Sequence, residues 1–498
     1  MTIDPAIDWL ALSVCGGIFL LITVMGFYAA RWRRPATLAS LDEWGLGGRQ
    51  FGTWITWFLV GGDFYTAYTV IAVPALVYAV GAYGFFALPY TIIVYPFVFA
   101  VMPLLWRIAK QEGHVTAADV VHGRYGSRAL ELAVAITGVI ATMPYIALQL
   151  IGMAAVIKAL GLSGEIPLIT AFVILALYTY SSGLRAPALI AFVKDIMIYV
   201  AVLAAVALIP LKLGGYAAIF AAADAAFQAK GSGGILLAPT QYLPYGSLAF
   251  GSALAAFMYP HTLTGIFASR SANTIRKNAI LLPAYTLLLG LLALLGYMGY
   301  AAHLQITSPN DVVPVLFKTL FPSWFAGFAF AAIGVGALVP AAVMSIGAAN
   351  LFTRNFWRAY VNPAVTPAGE AKVAKLTSLV IKLGALLFIL FLPTQFALDL
   401  QLLGGLWILQ TLPAVVFGLL TGWFRAPALL LGWAVGFFGG SWIAWSDGLK
   451  PLHTISIGGA TASVYVGLLA LTANILVAVV VTLLVGGSRR TAVAGSRP

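Results

Sequence analysis

Charge is what this chain has least of. Only 8% of its 498 residues are Asp, Glu, Lys or Arg, against about a quarter in soluble proteins. Nor is there a polar stretch long enough to fold as a soluble domain beside the rest. A single cysteine, Cys15, excludes an internal disulfide. The five histidines include no pair at zinc spacing, so no metal site is expected. No phosphate loop, G-x-S-x-G elbow or H-E-x-x-H is present, which leaves no support for an enzyme, and no cofactor is expected. The first eight residues, Met1 to Asp8, lack the basic region of a cleavable signal.

Apolar residues, by contrast, make up 62% of the chain and run from end to end. A bilayer-crossing helix needs about 20 residues. About thirteen intervals suffice: 9–30, 52–80, 83–108, 129–158, 165–184, 187–211, 247–270, 280–303, 323–353, 374–393, 398–422, 427–446 and 459–486. The expectation is one all-α polytopic domain over 1–486. The short tail 487–498 should be disordered. The longest outer loop is 212–246, punctuated by Gly231-Ser-Gly-Gly234, and Ser308 to Phe321 reads as a short surface helix.

The net charge of +12 is a topology signal. Roughly 20 of the 27 basic residues fall in alternate loops, which the positive-inside rule makes cytoplasmic. That places the N-terminus outside and the C-terminus inside. It assigns the excess charge to the lipid bilayer and excludes a nucleic-acid partner.

The second interval carries Gly61-Gly62-Asp63-Phe64-Tyr65-Thr66-Ala67-Tyr68-Thr69 near its middle. A carboxylate at membrane depth costs about 2.5–3.5 kcal/mol even on the lenient scale. The paired glycines loosen the helix beside it. Five intervals later, in the opposite orientation, stands Met258-Tyr259-Pro260-His261-Thr262, whose proline breaks a second helix. Two interrupted helices at matching positions of inverted halves point to a transport site.

At these residues the chain resembles the sodium:solute symporter family over about 40–440. The matching pieces are Leu46-Gly-Gly-Arg49, Thr116-Ala-Ala-Asp119 with Gly123-Arg-Tyr125, and Tyr145 to Leu150. They continue with Ser182-Gly-Leu-Arg-Ala186, Tyr259-Pro-His261 with Arg270, Asn350-Leu-Phe-Thr353, and Leu412-Pro413 with Gly418. Asp63 to Thr69 and Val339 to Ser345 look most like the bacterial monocarboxylate permeases. The resemblance implies a five-plus-five inverted repeat of leucine-transporter type over about 52–422. It implies symport of a short-chain monocarboxylate such as lactate, pyruvate or propionate with a cation, in a bacterial inner membrane. No obligatory protein partner is evident. The alternatives are sodium-coupled uptake of another small organic solute (an amino acid or a vitamin) and, more remotely, a membrane sensor.

One departure bears on the cation, H⁺ or Na⁺. Where sodium-coupled members carry ligating hydroxyls on the ninth span, this chain has Val339 and Pro340. Carbonyls of Gly61, Phe64 and Gly336 would remain as ligands. The sixth span instead carries Lys194 and Asp195. In proton-coupled relatives of the fold a lysine stands in the place of sodium. Adjacent helix residues do not face each other, so Asp63 is the expected partner of Lys194. Asp63, Lys194 and Asp195 are therefore the expected coupling residues, with the proton favoured. Tyr65, Thr66, Thr69, Gln149, Tyr259, His261 and Thr262 are the expected substrate contacts. Lys382 is expected to snorkel to an interface or line a loop.

Overall fold

The computed structural model describes residues 7–32, 38–162, 166–391, 397–457 and 460–486. The expected tail, 487–498, and the basic residues at 33, 34, 489, 490 and 497 lie outside them. The helices that frame the core and the site are α1 (Trp9–Tyr28), α2 (Ala87–Gln111), α3 (Ala117–Tyr125), α4 (Arg128–Ala159), α5 (Ile166–Ser182) and α6 (Arg185–Lys212). They continue with α7 (Tyr216–Lys230), α8 (Tyr242–Ala256), α9 (Pro260–Ala268), α10 (Pro283–Ala301), α11 (Ser323–Phe352) and α12 (Pro367–Phe391). Last come α13 (Ala397–Leu409), α14 (Ala426–Ser446) and α15 (Val466–Val485).

Among the described residues, eight helices are long and apolar enough to cross a membrane, or nine if a pair bent by 42°, Ala397–Leu409 and Pro413–Leu420, is one span. The thirteen expected crossings are not recovered by length and hydropathy. The seventh interval divides into α8 and α9, the eleventh is bent, and α5 has only 17 residues. The last helix begins at Val466, not near 459. Before it, β1 (Leu452–Ile457) and β2 (Ala460–Tyr465) form an antiparallel hairpin with Leu452 opposite Tyr465. Tyr465 anchors this hairpin: its N–H donates to Ser247 Oγ at 3.0 Å and its hydroxyl to the Leu402 carbonyl at 2.6 Å.

Two other expectations change. The outer loop 212–246 contains α7, and Gly234 packs against the start of the neighbouring segment at Gly81. The Gly234 carbonyl accepts the Ala82 N–H at 2.7 Å, and Gly81, at φ 77°, has no room for a Cβ against that carbonyl. The segment after Ser308 is helical, as Pro309–Asp311 and Val312–Leu320, but Val312 to Phe317 are buried rather than on the surface.

The core is organised on α11, whose candidate membrane window is wholly buried. It packs against α1, α4, α6, α9 and α12. Small residues allow this. Gly347 lies against the backbone of Pro260 and His261, and Gly334 against Phe19. Leucines, valines and tryptophans such as Trp442, Val480 and Leu484 face outward. This is a surface suited to acyl chains rather than water. The start of the first broken segment is tied to the end of the second by a parallel bridge between Phe51 and Ser269. Phe51 N–H donates to the Ala268 carbonyl at 3.1 Å, and Arg270 N–H to the Phe51 carbonyl at 2.9 Å.

Below them, Asn355 holds three elements together. Its amide donates to Asp119 Oδ1 at 2.6 Å and Glu131 Oε1 at 2.8 Å, and its oxygen accepts from Thr116 Oγ1 at 2.7 Å. Both carboxylates are buried. Asn355→Leu should therefore cost about 3 kcal/mol. A lowered thermal midpoint in detergent is the expected result, and an unchanged midpoint would show that the network holds nothing.

Candidate functional site

The chain unwinds between Gly62 and Ala67, flanked by π-helical turns at Trp57–Gly61 and Tyr68–Ala72. Inside a membrane, the backbone groups freed by such a break need partners within the protein. Three of the N–H groups find theirs on side chains. The Ala67 N–H donates to Gln149 Oε1 at 3.0 Å, and Gln149 in turn donates to the Tyr145 carbonyl at 3.2 Å. Thr66 Oγ1 accepts the Tyr68 N–H at 2.9 Å, and Thr69 Oγ1 accepts the Thr66 N–H at 3.1 Å.

The carbonyls go to Lys194. Its Nζ, wholly buried, donates to Gly62 O at 2.6 Å and Tyr65 O at 2.9 Å. The same Nζ pairs with Asp195 Oδ1 at 2.9 Å. This corrects the expectation that Asp63 would be the partner and that neighbours on α6 would not meet. A lysine arm is long enough to bend back, and Gly62 leaves the space. A Cβ there would sit 2.8 Å from Asp195 Oδ2 and 3.0 Å from Lys194 Nζ. The converging carbonyls are also one residue later than expected. Gly61 O is taken by the Phe64 N–H at 2.9 Å. Gly336 faces this point, its Cβ direction lying 4.0 Å from Tyr65 O.

Tyr285, on the first turn of α10, completes the cluster and was not anticipated. Its hydroxyl donates to Asp195 Oδ2 at 2.7 Å, and its own carbonyl accepts from the Tyr65 hydroxyl. Its ring fills the space where Gly61 would otherwise carry a Cβ. Nothing near Pro283-Ala-Tyr285 in the sequence marks it, because its role exists only where α10 meets the broken segment. Tyr65 is thereby turned toward the ion pair, while Thr66 and Thr69 cap the break.

Asp63 belongs to a second cluster on the other broken segment. Thr262 Oγ1 donates to its Oδ2 at 3.4 Å, and His261 Nε2 lies 3.5 Å from the same oxygen. Asp63 Oδ1 and His261 Nδ1 are buried without a hydrogen-bond partner. The His261 ring packs against Tyr145 and Tyr259, at centroid distances of 5.4 and 5.1 Å. The Tyr259 hydroxyl is occupied by the Gln401 carbonyl at 2.9 Å. Lys382, expected to reach an interface, is instead buried. Val339 and Pro340 sit within α11 and offer no side-chain oxygen. No group of three or more metal-binding side chains occurs among the described residues.

The sodium:solute symporter family model matches residues 44–436. The chain belongs to the sodium:solute symporter family. It is 77% identical over 484 residues to a monocarboxylate transport permease protein of Rhizobium johnstonii, covering 97% of this chain and 98% of that one. It is 32% identical over 479 residues to the uncharacterized symporter YodF of Bacillus subtilis, covering 94% and 92%. In structure it is similar to a Na⁺-coupled sialic acid symporter in a substrate-bound, outward-open state. The TM-score is 0.78 at 14% identity, covering 98% of this chain and all of the other. This likeness gives the fold: the symporter is a multi-pass membrane protein with the inverted-repeat, leucine-transporter-like core.

The Gly62 contacts generate a test. Gly62→Ala should abolish transport while the protein still folds, because the methyl displaces the Lys194–Asp195 pair. Gly17→Ala, with nothing within 4 Å, is the control. Uptake into proteoliposomes reads both, and a fully active Gly62→Ala would remove the ion pair from the mechanism.

Proposed function

We propose that this symporter imports short-chain monocarboxylates together with a proton. The observation that carries the coupling ion is the Lys194 ammonium, which fills the point where the Gly62 and Tyr65 carbonyls converge opposite Gly336. A sodium ion needs several oxygen ligands. Here two carbonyls are already committed, and positions 339 and 340 supply none. A lysine can give and take a proton where a metal ion would bind and leave. Protonated, it ties the broken segment to α6. Deprotonated, it loses its attraction to Asp195 and holds the carbonyls more weakly, and the break is freer to rearrange.

The substrate reading rests on the second cluster and on the Rhizobium relative's name. His261 Nδ1 and Asp63 Oδ1 are buried beside the break without a hydrogen-bond partner, as is the nearby Tyr68 hydroxyl. The rings of Tyr145 and Tyr259 wall the same region. A carboxylate entering beside Asp63 adds a second negative charge. Charge balance is met by a proton shared among Asp63, His261 and the substrate. A small acid thus brings its own reason for proton coupling. The apolar walls accept a methyl or ethyl group, as in propionate or lactate. The cycle is transport rather than chemistry, in a bacterial inner membrane with the N-terminus outside and the C-terminus cytoplasmic.

Labelled pyruvate or lactate uptake into proteoliposomes tests this, with proton and sodium gradients imposed separately at matched potential. The proton gradient alone should drive accumulation. Lys194→Ala should abolish accumulation. Sodium-driven uptake that survives in Lys194→Ala would replace the proton by sodium. If neither acid moves under either gradient, the monocarboxylate reading fails.

A further inference from the structure

A second buried lysine has no part in this cycle. Lys382 lies on α12, seven residues past Lys375, or about 10 Å further along the helix. Lys375 reaches only as far as the Tyr180 ring, 5.7 Å from its centroid. Lys382 is buried, and its one hydrogen bond is a long one, 3.4 Å, to the Ser378 carbonyl one turn back on its own helix. No carboxylate among the described residues pairs with it.

Lys382 is one of the residues lining a cavity of about 210 Å³ between α4, α5 and α12. Every other lining residue is apolar, including Leu150, Ile169, Phe172, Val173 and Leu386. Ile169, Val173 and Leu383 are also exposed on the outer surface, so the cavity opens where lipid chains run. A lone cation in apolar walls calls for one negative charge and little else that is polar. A phosphate headgroup, with several charged oxygens, does not suit these walls. A single carboxylate at the end of a hydrocarbon chain does.

We propose that this lipid-facing cleft binds a medium-chain fatty acid, its carboxylate on Lys382 and its chain along α5 and α12. The site lies outside the clusters at Lys194 and Asp63 and does not depend on the transported substrate. Its occupant sits between α12 and the neighbouring helices, where it biases their relative movement.

Decanoic acid carrying a photoreactive diazirine at its chain end, added to the full-length protein in nanodiscs, provides the test. Illumination should label peptides from 166–182 and 367–391. Lys382→Met removes the charge while keeping an unbranched side chain and should reduce labelling about tenfold or more, while Lys382→Arg should retain it. Val173→Trp, which fills the cleft and leaves the lysine in place, should also lose it. Unlabelled decanoic acid should compete and decanol should not. Equal labelling of Lys382→Met, or equal competition by decanol, overturns the proposal in favour of an unspecific lipid groove. So does labelling confined to other helices.

Discussion

The contact on which the rest of this molecule depends is an ammonium held by the carbonyls of a broken helix. Breaking a helix in a membrane leaves polar backbone groups that no water can satisfy. Lys194 meets that need at Gly62 and Tyr65 and is itself neutralised by Asp195. Each further feature of the cluster follows from making this contact fit. Gly62 is bare so that the ion pair can lie against it, and Gly61 is bare so that Tyr285 can approach. Tyr285 holds the second oxygen of Asp195, which keeps the carboxylate turned toward the lysine. Removing the lysine would leave two carbonyls and a buried carboxylate unpaired at once, a larger loss than any single bond.

The two clusters communicate through very little material. Asp63 follows Gly62 directly, so the residue facing His261 and Thr262 is bonded to the residue facing Lys194. The far end of the break is fixed by Gln149 and by the two threonines. Coupling between sites needs an element with two arrangements that both sites bias. In the proposed cycle residues 62–67 would be such an element. Releasing the carbonyls on one side leaves the segment anchored at Ala67, and the remaining freedom is rotation of the Gly62–Asp63 region. That rotation changes where Asp63 points.

Much of this was legible in the sequence because polar residues are scarce in it. Asp63, Lys194, Asp195, Gln149 and His261 are conspicuous in apolar stretches, and the structure gathers them around the two helix breaks. What was not legible depended on geometry between elements. The rule that adjacent helix residues diverge misdirected Lys194 toward Asp63. It describes where side chains leave the helix, not where a long flexible arm ends. Tyr285 carries no local mark. The hairpin at Leu452–Tyr465 had one, the alternation in His453-Thr-Ile-Ser-Ile457 before Gly458-Gly459, but in so apolar a chain it reads as the start of a span. Thr66 and Thr69 were expected to contact substrate, and the hydrogen bonds they make here are to the backbone. A hydroxyl near a site serves either a ligand or the backbone, and an unwound segment takes the backbone's share first.

Two lysines buried in one apolar interior show why position alone does not assign a role. Lys194 reaches three oxygens, two of them on a different segment from its own, so a change in its charge alters how two elements are held together. Lys382 reaches one, on its own helix. A proton leaving Lys382 would release nothing that joins one part of the fold to another. Coupling is therefore a property of the bonds a charged group makes across a movable boundary, and depth in the membrane supplies only the energy that makes those bonds count. On that criterion the proposed proton coupling belongs at the boundary between α6 and the broken segment, and not at α12.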